Sequence, residues 1–293
     1  MHKKKKIRIS TISLHLFFIM IAVVCIYPIL LILFNAITSE NYINDIGYVI
    51  FPKEVTLDAF KYLAMAPERL LQSTYATIIY AVGGGLFSVV IQAMLGYTLT
   101  RKDFILRKPI NVLLTITMFF SAGLIPTYMV NTTVYHLDNS WLMYIFDGSV
   151  SAFNVFVFRT FFEQIPVSLT ESAEVDGATH MQILVKIIVP LSKPIIATQF
   201  FLTLVQRWRS YTVSLYYMTE QSKINLGHYT QMLLDSANQL KENAIAMGLN
   251  AEEVPIESMR FAVVFFTVVP LMLIFPFMQK YFQKGATVGA VKG

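Results

Sequence analysis

Two groups of polar residues stand inside long apolar stretches of this 293-residue sequence. The first group has the spacing i, i+4, i+7, i+8 and i+11 and consists of Thr203, Arg207, Ser210, Tyr211 and Ser214. The second has the spacing i, i+4 and i+7 and consists of Asp147, Ser151 and Asn154. On a helix, the members of each group share one face. Polar stripes on apolar helices predict a water-filled cavity between those helices, because charges in a bilayer mark a pathway or a buried pair.

The two arginines of the first stretch cannot both face such a cavity. Arg209 lies about 200° around a helix from Arg207, so their side chains point in different directions. Asp147 stands at a roughly compatible depth, and one of the arginines could pair with it. Two interpretations follow from the residues alone: the stripe contacts a passing solute, or an arginine and Asp147 form a purely structural pair.

Other kinds of chemistry have no residues to carry them. The sequence contains neither the phosphate-binding pattern G-x-x-x-x-G-K-[ST] nor the zinc pattern H-E-x-x-H, and no Cys/His spacing typical of a metal site. Its one cysteine, Cys25, lies in an apolar run. We therefore predict no catalytic residue, no bound metal and no cofactor on this chain. If ATP drives its function, the ATPase must be a different chain.

The apolar residues that surround the polar stripes predict an all-α integral membrane protein. The sequence is 55% hydrophobic and 14% charged, with a mean hydropathy of +0.57, whereas soluble domains carry about 25% charged residues. The apolar runs have the length of about 20 residues that a helix needs to cross a bilayer. Six spans are predicted, at Leu14–Ile37, Tyr75–Thr100, Ile110–Val134, Trp141–Phe162, Ile195–Tyr217 and Phe261–Phe282.

Positive charge predicts how the chain is oriented. The first run is too long for a cleaved signal and lacks a small-residue cleavage site, so it is predicted to stay as a span. With the N-terminus inside, fifteen of the 23 Lys and Arg residues fall on the cytoplasmic side and six on the outer side. The positive-inside rule therefore predicts two cytoplasmic termini. The predicted parts are a cytoplasmic segment 1–13, a transmembrane domain 14–284 and a cytoplasmic tail 285–293. The clustering explains the net charge of +5 without a nucleic-acid partner.

Two outer loops are long enough to have a role of their own. They cover residues 38–74, with several aromatic residues, and 218–259, which is polar and rich in Glu. We expect them to contact a soluble partner; a disordered connector is the alternative.

The cytoplasmic segment 163–194, called the elbow below, is predicted to form two short helices around a turn. Asp176-Gly177 ends the first helix, and Gly177 can adopt a left-handed conformation. Thr179 can cap the second helix, whose apolar stripe is Met181, Leu184, Ile187 and Ile188. Pro190 and Pro194 end that helix. Such a segment requires either a protein partner or a lipid surface for its exposed face.

The elbow resembles the EAA motif of ABC importer permeases. The similarity lies in Glu171-Ser-Ala173, Asp176-Gly177-Ala178, Pro190-Leu191 and Pro194, with Ser172 in place of the usual alanine. Further segments, Gly123–Tyr128, Phe158–Phe162 and Gly289–Gly293, are similar to carbohydrate-uptake permeases, the group that includes the maltose permease. The resemblance is strongest to the LplC/YtcP-type subgroup. It extends over most of the chain and implies the type I ABC importer permease fold in the bacterial cytoplasmic membrane.

The resemblance also implies partners. These are a second homologous permease subunit, two ABC ATPase subunits that bind ATP and Mg, an external solute-binding protein, and the lipid bilayer. The elbow would be the coupling helix that docks on the ATPase, with Glu171 contacting a basic group there and Asp176 and Gly177 fixing the turn. The full predicted coupling set is Glu171, Ala173, Asp176, Gly177, Ala178, Pro190 and Pro194. Residues Gly289, Lys292 and Gly293 of the tail would also contact the ATPase.

The cargo that the resemblance implies is a sugar or oligosaccharide, moved inward by alternating access. The predicted substrate pathway comprises Arg207, Trp208, Arg209, Tyr211, Asp147 and Asn154, in which Trp208 and Tyr211 could stack on sugar rings. One alternative is the same machine with a non-sugar polar cargo. A second is a secondary transporter, which would require an internal inverted repeat that we do not find. A membrane-embedded enzyme would need a convergent set of His, Asp or Ser residues, which the spans lack.

Overall fold

The computed structural model describes residues 9–64, 67–246 and 255–290, which form helices joined by loops. In those residues the only β-type pairing is one isolated bridge between Thr38 and Val55. The predicted all-α fold is therefore confirmed.

The helices follow one another with short connections. Helices α1 to α5 are Ile9–Ala36, Glu40–Ile46, Asp58–Leu63, Pro67–Ile78 and Gly84–Thr100, and the π-helical turn Ile79–Gly83 joins α4 to α5. Helices α6 to α10 are Arg107–Phe119, Leu124–Met129, Trp141–Phe146, Ala152–Phe162 and Val167–Val175, with a π-helical turn at Val130–Val134. Helices α11 to α13 are His180–Ile183, Val189–Leu191 and Lys193–Trp208, with a π-helical turn at Leu184–Ile188. Helices α14 to α16 are Thr212–Tyr217, Leu226–Ala246 and Ile256–Ala290, with a 3₁₀ turn at Gln221–Lys223.

Three helical stretches among the described residues are long and apolar enough to cross a membrane. They are Ser13–Ala36, Pro67–Thr100 and Ile256–Gln279, and they match the first, second and sixth predicted spans. A fourth candidate is the pair His180–Leu191 and Lys193–Trp208, which is bent by 83°.

The structure corrects the third, fourth and fifth predicted spans, since each is divided into two helices. Residues 120–123 separate α6 from α7, residues 147–151 separate α8 from α9, and residues 209–211 separate α13 from α14. A broken helix is tolerated at membrane depth only where its backbone groups are satisfied by protein or by a wet cavity. The breaks at 147–151 and 209–211 coincide with the polar residues that the sequence places inside apolar runs.

The chain forms two compact units. The first is drawn from Met1–Pro67 and Thr230–Val269, the second from Glu68–Tyr229 and Pro270–Gly293. In the first unit, the Glu40 carboxylate accepts hydrogen bonds from the backbone N–H groups of Glu257 (2.9 Å) and Ser258 (3.0 Å). These are first-turn donors of α16, which no intrahelical acceptor satisfies.

The two predicted outer loops contain helices. Helices α2 and α3 lie in residues 38–74, and α15 lies in residues 218–259.

In the second unit, α5 packs closely against α9. A Cβ added at Gly96 would lie 2.7 Å from the Cβ of Phe158, so glycine is what permits this approach. The core beside this contact consists of Val89, Ala93, Tyr97, Phe158, Phe162, Ile183, Leu184 and Ile188. Because Ile183, Leu184 and Ile188 belong to the elbow, the same core fixes the base of the elbow to the helices.

Candidate functional site

A polar cavity of about 660 Å³ lies in the second unit, where the breaks after α8 and α13 meet. Its polar lining residues are Tyr80, Gln92, Thr117, Asp147, Ser151, Asn154, Thr203, Gln206, Arg207 and Ser210. Both predicted polar stripes therefore contribute to one cavity, although they are more than 40 residues apart in sequence.

Arg207 links three helices at the wall of this cavity. Its Nη1 donates a hydrogen bond to the carbonyl oxygen of Tyr144 at 2.9 Å, and its Nη2 donates to Ser88 Oγ at 2.8 Å and to the carbonyl oxygen of Asp147. Its guanidinium carbon lies 5.0 Å from the centre of the Tyr80 ring, a cation–π distance. Arg207 is buried, and its donors are directed at main-chain oxygens where α8 ends.

This arrangement explains how the fourth span can break inside an apolar setting. The last carbonyls of a helix have no intrahelical donor, and the negative end of the helix dipole favours a cation there. Arg207 provides both the donors and the charge. Gly84 makes room for it, because a Cβ at that position would overlap Arg207 Nη1 and the Tyr144 carbonyl oxygen.

Asp147 contacts Arg207 through its main chain, while its carboxylate has another partner. Asp147 Oδ2 accepts a hydrogen bond from the Tyr80 hydroxyl at 2.9 Å. Within the described residues, no ion pair within 4.0 Å joins the two side chains. The predicted choice between cavity lining and a pair with Asp147 is thus replaced by a third arrangement, in which Arg207 lines the cavity and caps a helix.

Gln92 supplies a buried polar atom with no partner among the residues that the structure describes. Its Nε2 donates to the carbonyl oxygen of Ser149 at 3.1 Å, whereas its Oε1 accepts no hydrogen bond from that part of the chain. A buried acceptor without a donor is costly, and this side chain lines the cavity. A water molecule or a hydroxyl group of a solute could donate to it.

The remaining residues of the predicted pathway lie at different places. Asn154 lines the cavity, whereas Trp208 is buried in an apolar cluster with Ala81 and Leu204. Arg209 and Tyr211 are exposed and do not line it. Arg209 and Tyr211 lie away from the cavity because α13 ends at Trp208, so the helical spacing does not continue through residues 209–211.

Tyr80 and Gln92 line the cavity from the second span, although the sequence patterns did not predict them as cavity residues. Gln92 lies within an otherwise apolar run, and a polar side chain at such a place is a signal that could have been used. Tyr80 carries no comparable signal, because tyrosine is also a common packing residue.

The elbow has the predicted local structure. Gly177 has a φ of 81°, in the left-handed region, and it follows Asp176, the C-cap residue of α10. Thr179 forms a capping box with Gln182, in which each side chain accepts a hydrogen bond from the other residue's backbone N–H. The chain then bends by 83° between Leu191 and Lys193, with Pro194 in the first turn of α13. The predicted apolar stripe needs one correction: Met181 is exposed and Ile183 is fully buried, since the π-helical turn alters the helical spacing.

The predicted coupling residues divide into exposed and packed ones. Glu171 and Asp176 are exposed, as is Pro190. Ala173 and Ala178 are partly buried and pack against the core at the base of the elbow. Among the described residues, none donates a hydrogen bond to the Glu171 carboxylate. The elbow thus exposes an acidic side chain on a helix held from one side.

Helix α16 extends into the predicted tail, residues 285–293, and ends at Ala290. Gly289 lies in this helical end, whereas Lys292 and Gly293 lie outside the described residues. Their predicted contact with the ATPase stays a prediction.

The sequence matches the family described as "Binding-protein-dependent transport system inner membrane component" over residues 5–288. The chain belongs to this family. It is a multi-pass membrane protein of an ABC importer, in which ATP hydrolysis takes place on a separate subunit. The predicted permease family and the type I importer fold are confirmed.

Several curated relatives, two of them named as permeases of saccharide transport systems, resemble the chain over nearly its whole length. It is 30% identical to the polygalacturonan/rhamnogalacturonan transport system permease protein YtcP of Bacillus subtilis over 98% of this chain and 100% of the relative. It is 31% identical to Protein LplC of the same organism over 100% of this chain and 98% of the relative. It is 26% identical to the maltodextrin transport system permease protein MdxG over 97% of both chains.

A solved structure shares the fold of this import permease. A chain of a bacterial ABC transporter involved in the import of the acidic polysaccharide alginate matches it with a TM-score of 0.80 and 27% identity. The match covers 96% of this chain and 99% of the other.

Proposed function

We propose that this permease moves sugars or oligosaccharides into a bacterial cell as one half of a permease heterodimer. The other components are a second homologous permease, two ATPase subunits that bind ATP and Mg, and an external binding protein that delivers the cargo. Both termini of the chain face the cytoplasm. The names of its relatives, which refer to polygalacturonan, rhamnogalacturonan and maltodextrin, support the choice of cargo.

The single observation that carries this proposal is the polar cavity at the breaks after α8 and α13, in a unit whose elbow exposes a carboxylate. The cavity lining contains groups that can form hydrogen bonds with hydroxyl groups, among them the Gln92 amide oxygen and the Asn154 side chain. Sugar hydroxyls both donate and accept hydrogen bonds, so such a lining suits them. The exposed Glu171 and the turn at Gly177 provide the surface on which the ATPase docks. Of the predicted pathway, we propose that Arg207, Asp147 and Asn154 line the route, and that Tyr211 and Arg209 adjoin it.

The test is purification and reconstitution of the complex. The chain should copurify with a second permease and an ATPase, and proteoliposomes should accumulate labelled oligosaccharide only with ATP inside and the loaded binding protein outside. A panel of neutral oligosaccharides, acidic oligosaccharides and peptides, offered to the binding protein, identifies the class of cargo. Uptake by the chain alone without an ATPase would contradict the proposal, and so would a binding protein that binds only peptides.

A further inference from the structure

Arg101 joins the loop after α5 to the elbow. It is the residue that follows α5, and its Nη1 donates a hydrogen bond to Glu174 Oε1 in α10, 73 positions along the chain. Its Nε and Nη2 donate to the Asp103 carboxylate at 3.2 and 3.3 Å. The Arg101 side chain is 22% exposed and that of Glu174 is 34% exposed, so the pair is largely sheltered from water.

This contact matters because little else holds α10. None of the nine residues of α10 is buried, and only Ala173 packs partly against the neighbouring core. The His180 ring lies 4.0 Å from Glu174, but it belongs to the elbow itself. Among the described residues, the Arg101–Glu174 pair is the one ion pair between α10 and a segment outside the elbow. Charge-assisted hydrogen bonds of this kind are directional, so they fix orientation as well as distance.

The two glutamates of α10 therefore have different environments. Glu174 is engaged by Arg101, whereas Glu171, one turn earlier, is exposed. We propose that Arg101 is a positioning residue, which holds α10 through Glu174 so that Glu171 faces the ATPase. This inference rests on the proposed coupling function of the elbow.

The surroundings of Arg101 keep its guanidinium group charged. Burial acts to lower the pKa of Arg101, but hydrogen bonds with Glu174 and Asp103 outweigh it and raise that pKa above its ordinary value. The hydrogen bond from Arg101 also lowers the pKa of the Asp103 carboxyl group. Arg101 consequently stays a cation.

The experiment uses the complete complex in lipid nanodiscs and in proteoliposomes. The variants are Arg101→Gln, Glu174→Gln, their double mutant, Arg101→Lys and the charge exchange Arg101→Glu/Glu174→Arg. Lys102→Gln is the matched control, because Lys102 is an exposed neighbouring cation without an ion-pair partner among the described residues. Two quantities are measured: amide hydrogen exchange in residues 167–176, and cargo molecules imported per ATP hydrolysed.

Arg101→Gln should raise exchange in residues 167–176 by about fivefold, and lower the import per ATP by a similar factor. The double mutant should match the single mutants, since all of them lack the same contact. Arg101→Lys and the charge exchange should recover part of both quantities, and Lys102→Gln should leave them unchanged. Unchanged exchange in Arg101→Gln would overturn the proposal, as would unchanged import per ATP despite faster exchange.

The two readouts separate this inference from the proposed function. If the wild-type complex showed no ATP-driven import of any saccharide, the proposed function would fail. The exchange measurement would still establish whether Arg101 holds α10.

Discussion

At the scale of single residues, the hydrogen bonds of Arg207 affect both the fold and the cavity. Its guanidinium group binds the carbonyl oxygens of Tyr144 and Asp147 as well as Ser88 Oγ. A bare charge in a bilayer costs about 2.5 kcal/mol or more, and this environment offsets that cost with directed acceptors. Arg207 thus makes the break in the fourth span possible while it forms part of the cavity wall.

Replacing Arg207 should reduce both assembly and uptake. Arg207→Leu removes the donor of the buried Tyr144 carbonyl and of the partly buried Asp147 carbonyl, at about 1–3 kcal/mol for a buried group, so the yield and the melting temperature of the complex should fall. Arg207→Lys should give an intermediate result, because lysine keeps the charge but loses the two-pronged geometry. Size-exclusion yield, thermal unfolding of the purified complex and vesicle uptake are the measurements.

The same prediction has an internal control at Asp147. Asp147→Asn keeps the main-chain acceptor and should assemble well, and Asp147→Asn/Arg207→Leu should be no better assembled than Arg207→Leu. Recovery of assembly in the double mutant would show instead that the two side chains form an ion pair.

Adjacent glycines test the space around Arg207 independently. Gly84→Ala should displace the guanidinium group and lower stability by about 1–3 kcal/mol, as overpacking does. Gly85→Ala is the matched control, since its Cβ would make ordinary contact at 3.5 Å with the Phe200 ring. Equal melting temperatures for the two variants would contradict this account.

At the scale of elements, the elbow combines a rigid base with a lightly held outer helix. The base is rigid because three residues of the elbow itself, Ile183, Leu184 and Ile188, are buried, and because the capping box fixes the start of α11. No residue of α10 is fully buried, so the helix relies on the partial packing of Ala173, on the turn at Gly177 and on Arg101. If the ATPase docks on the elbow as we propose, its movement would act on α10 first and reach the helices through the buried base.

Gly177→Val should uncouple ATP hydrolysis from transport without removing the protein from the membrane. Valine is strained at a φ of 81°, by about 1–2 kcal/mol or more. Apart from the adjacent residues, no atom of the described part of the chain lies within 4 Å of the position that a Cβ would occupy, so the backbone alone carries the effect. Gly177→Asn is the control, because asparagine tolerates the left-handed region.

The measurement for this turn is ATPase stimulation by loaded binding protein in reconstituted vesicles. Stimulation in Gly177→Val should be well below that of the wild type and of Gly177→Asn. A valine variant with wild-type stimulation would show that the left-handed turn is dispensable for coupling.

At the scale of the whole molecule, the distribution of charge predicts orientation. Fifteen Lys and Arg residues fall in segments that the positive-inside rule assigns to the cytoplasm, including the loop between α5 and α6. The predicted outer segment 38–74 contains α2 and α3 and carries the exposed Lys53.

Cysteine labelling measures this orientation directly, because the chain has a single cysteine that can be removed as Cys25→Ser. In that background, Lys53→Cys should react with a membrane-impermeant maleimide added to intact cells. Ile105→Cys, at a position that is 91% exposed, should react only after permeabilisation. The reverse pattern would place the termini outside.

The sequence alone sufficed for the features that arise from local patterns. Apolar runs of about 20 residues predicted the helices, and Asp176-Gly177 with Thr179 predicted the turn and cap of the elbow, because these depend on neighbours in the chain. Asp147, Ser151 and Asn154 line one cavity as predicted, but residues 147–151 lie between two helices, so tertiary packing and not helical spacing brings them together.

Tertiary structure decided where the helices break and what satisfies each break. The end of α8 requires donors from Arg207, 60 or more positions later, and α10 requires a cation from Arg101, 73 positions earlier. Gln92 and Tyr80 face the cavity only because α5 and its π-helical turn pack beside α8 and α13. An unsatisfied carbonyl or charge is prohibitively costly in an apolar setting. The partner that removes this cost comes from a distant part of the chain, and no local pattern identifies it.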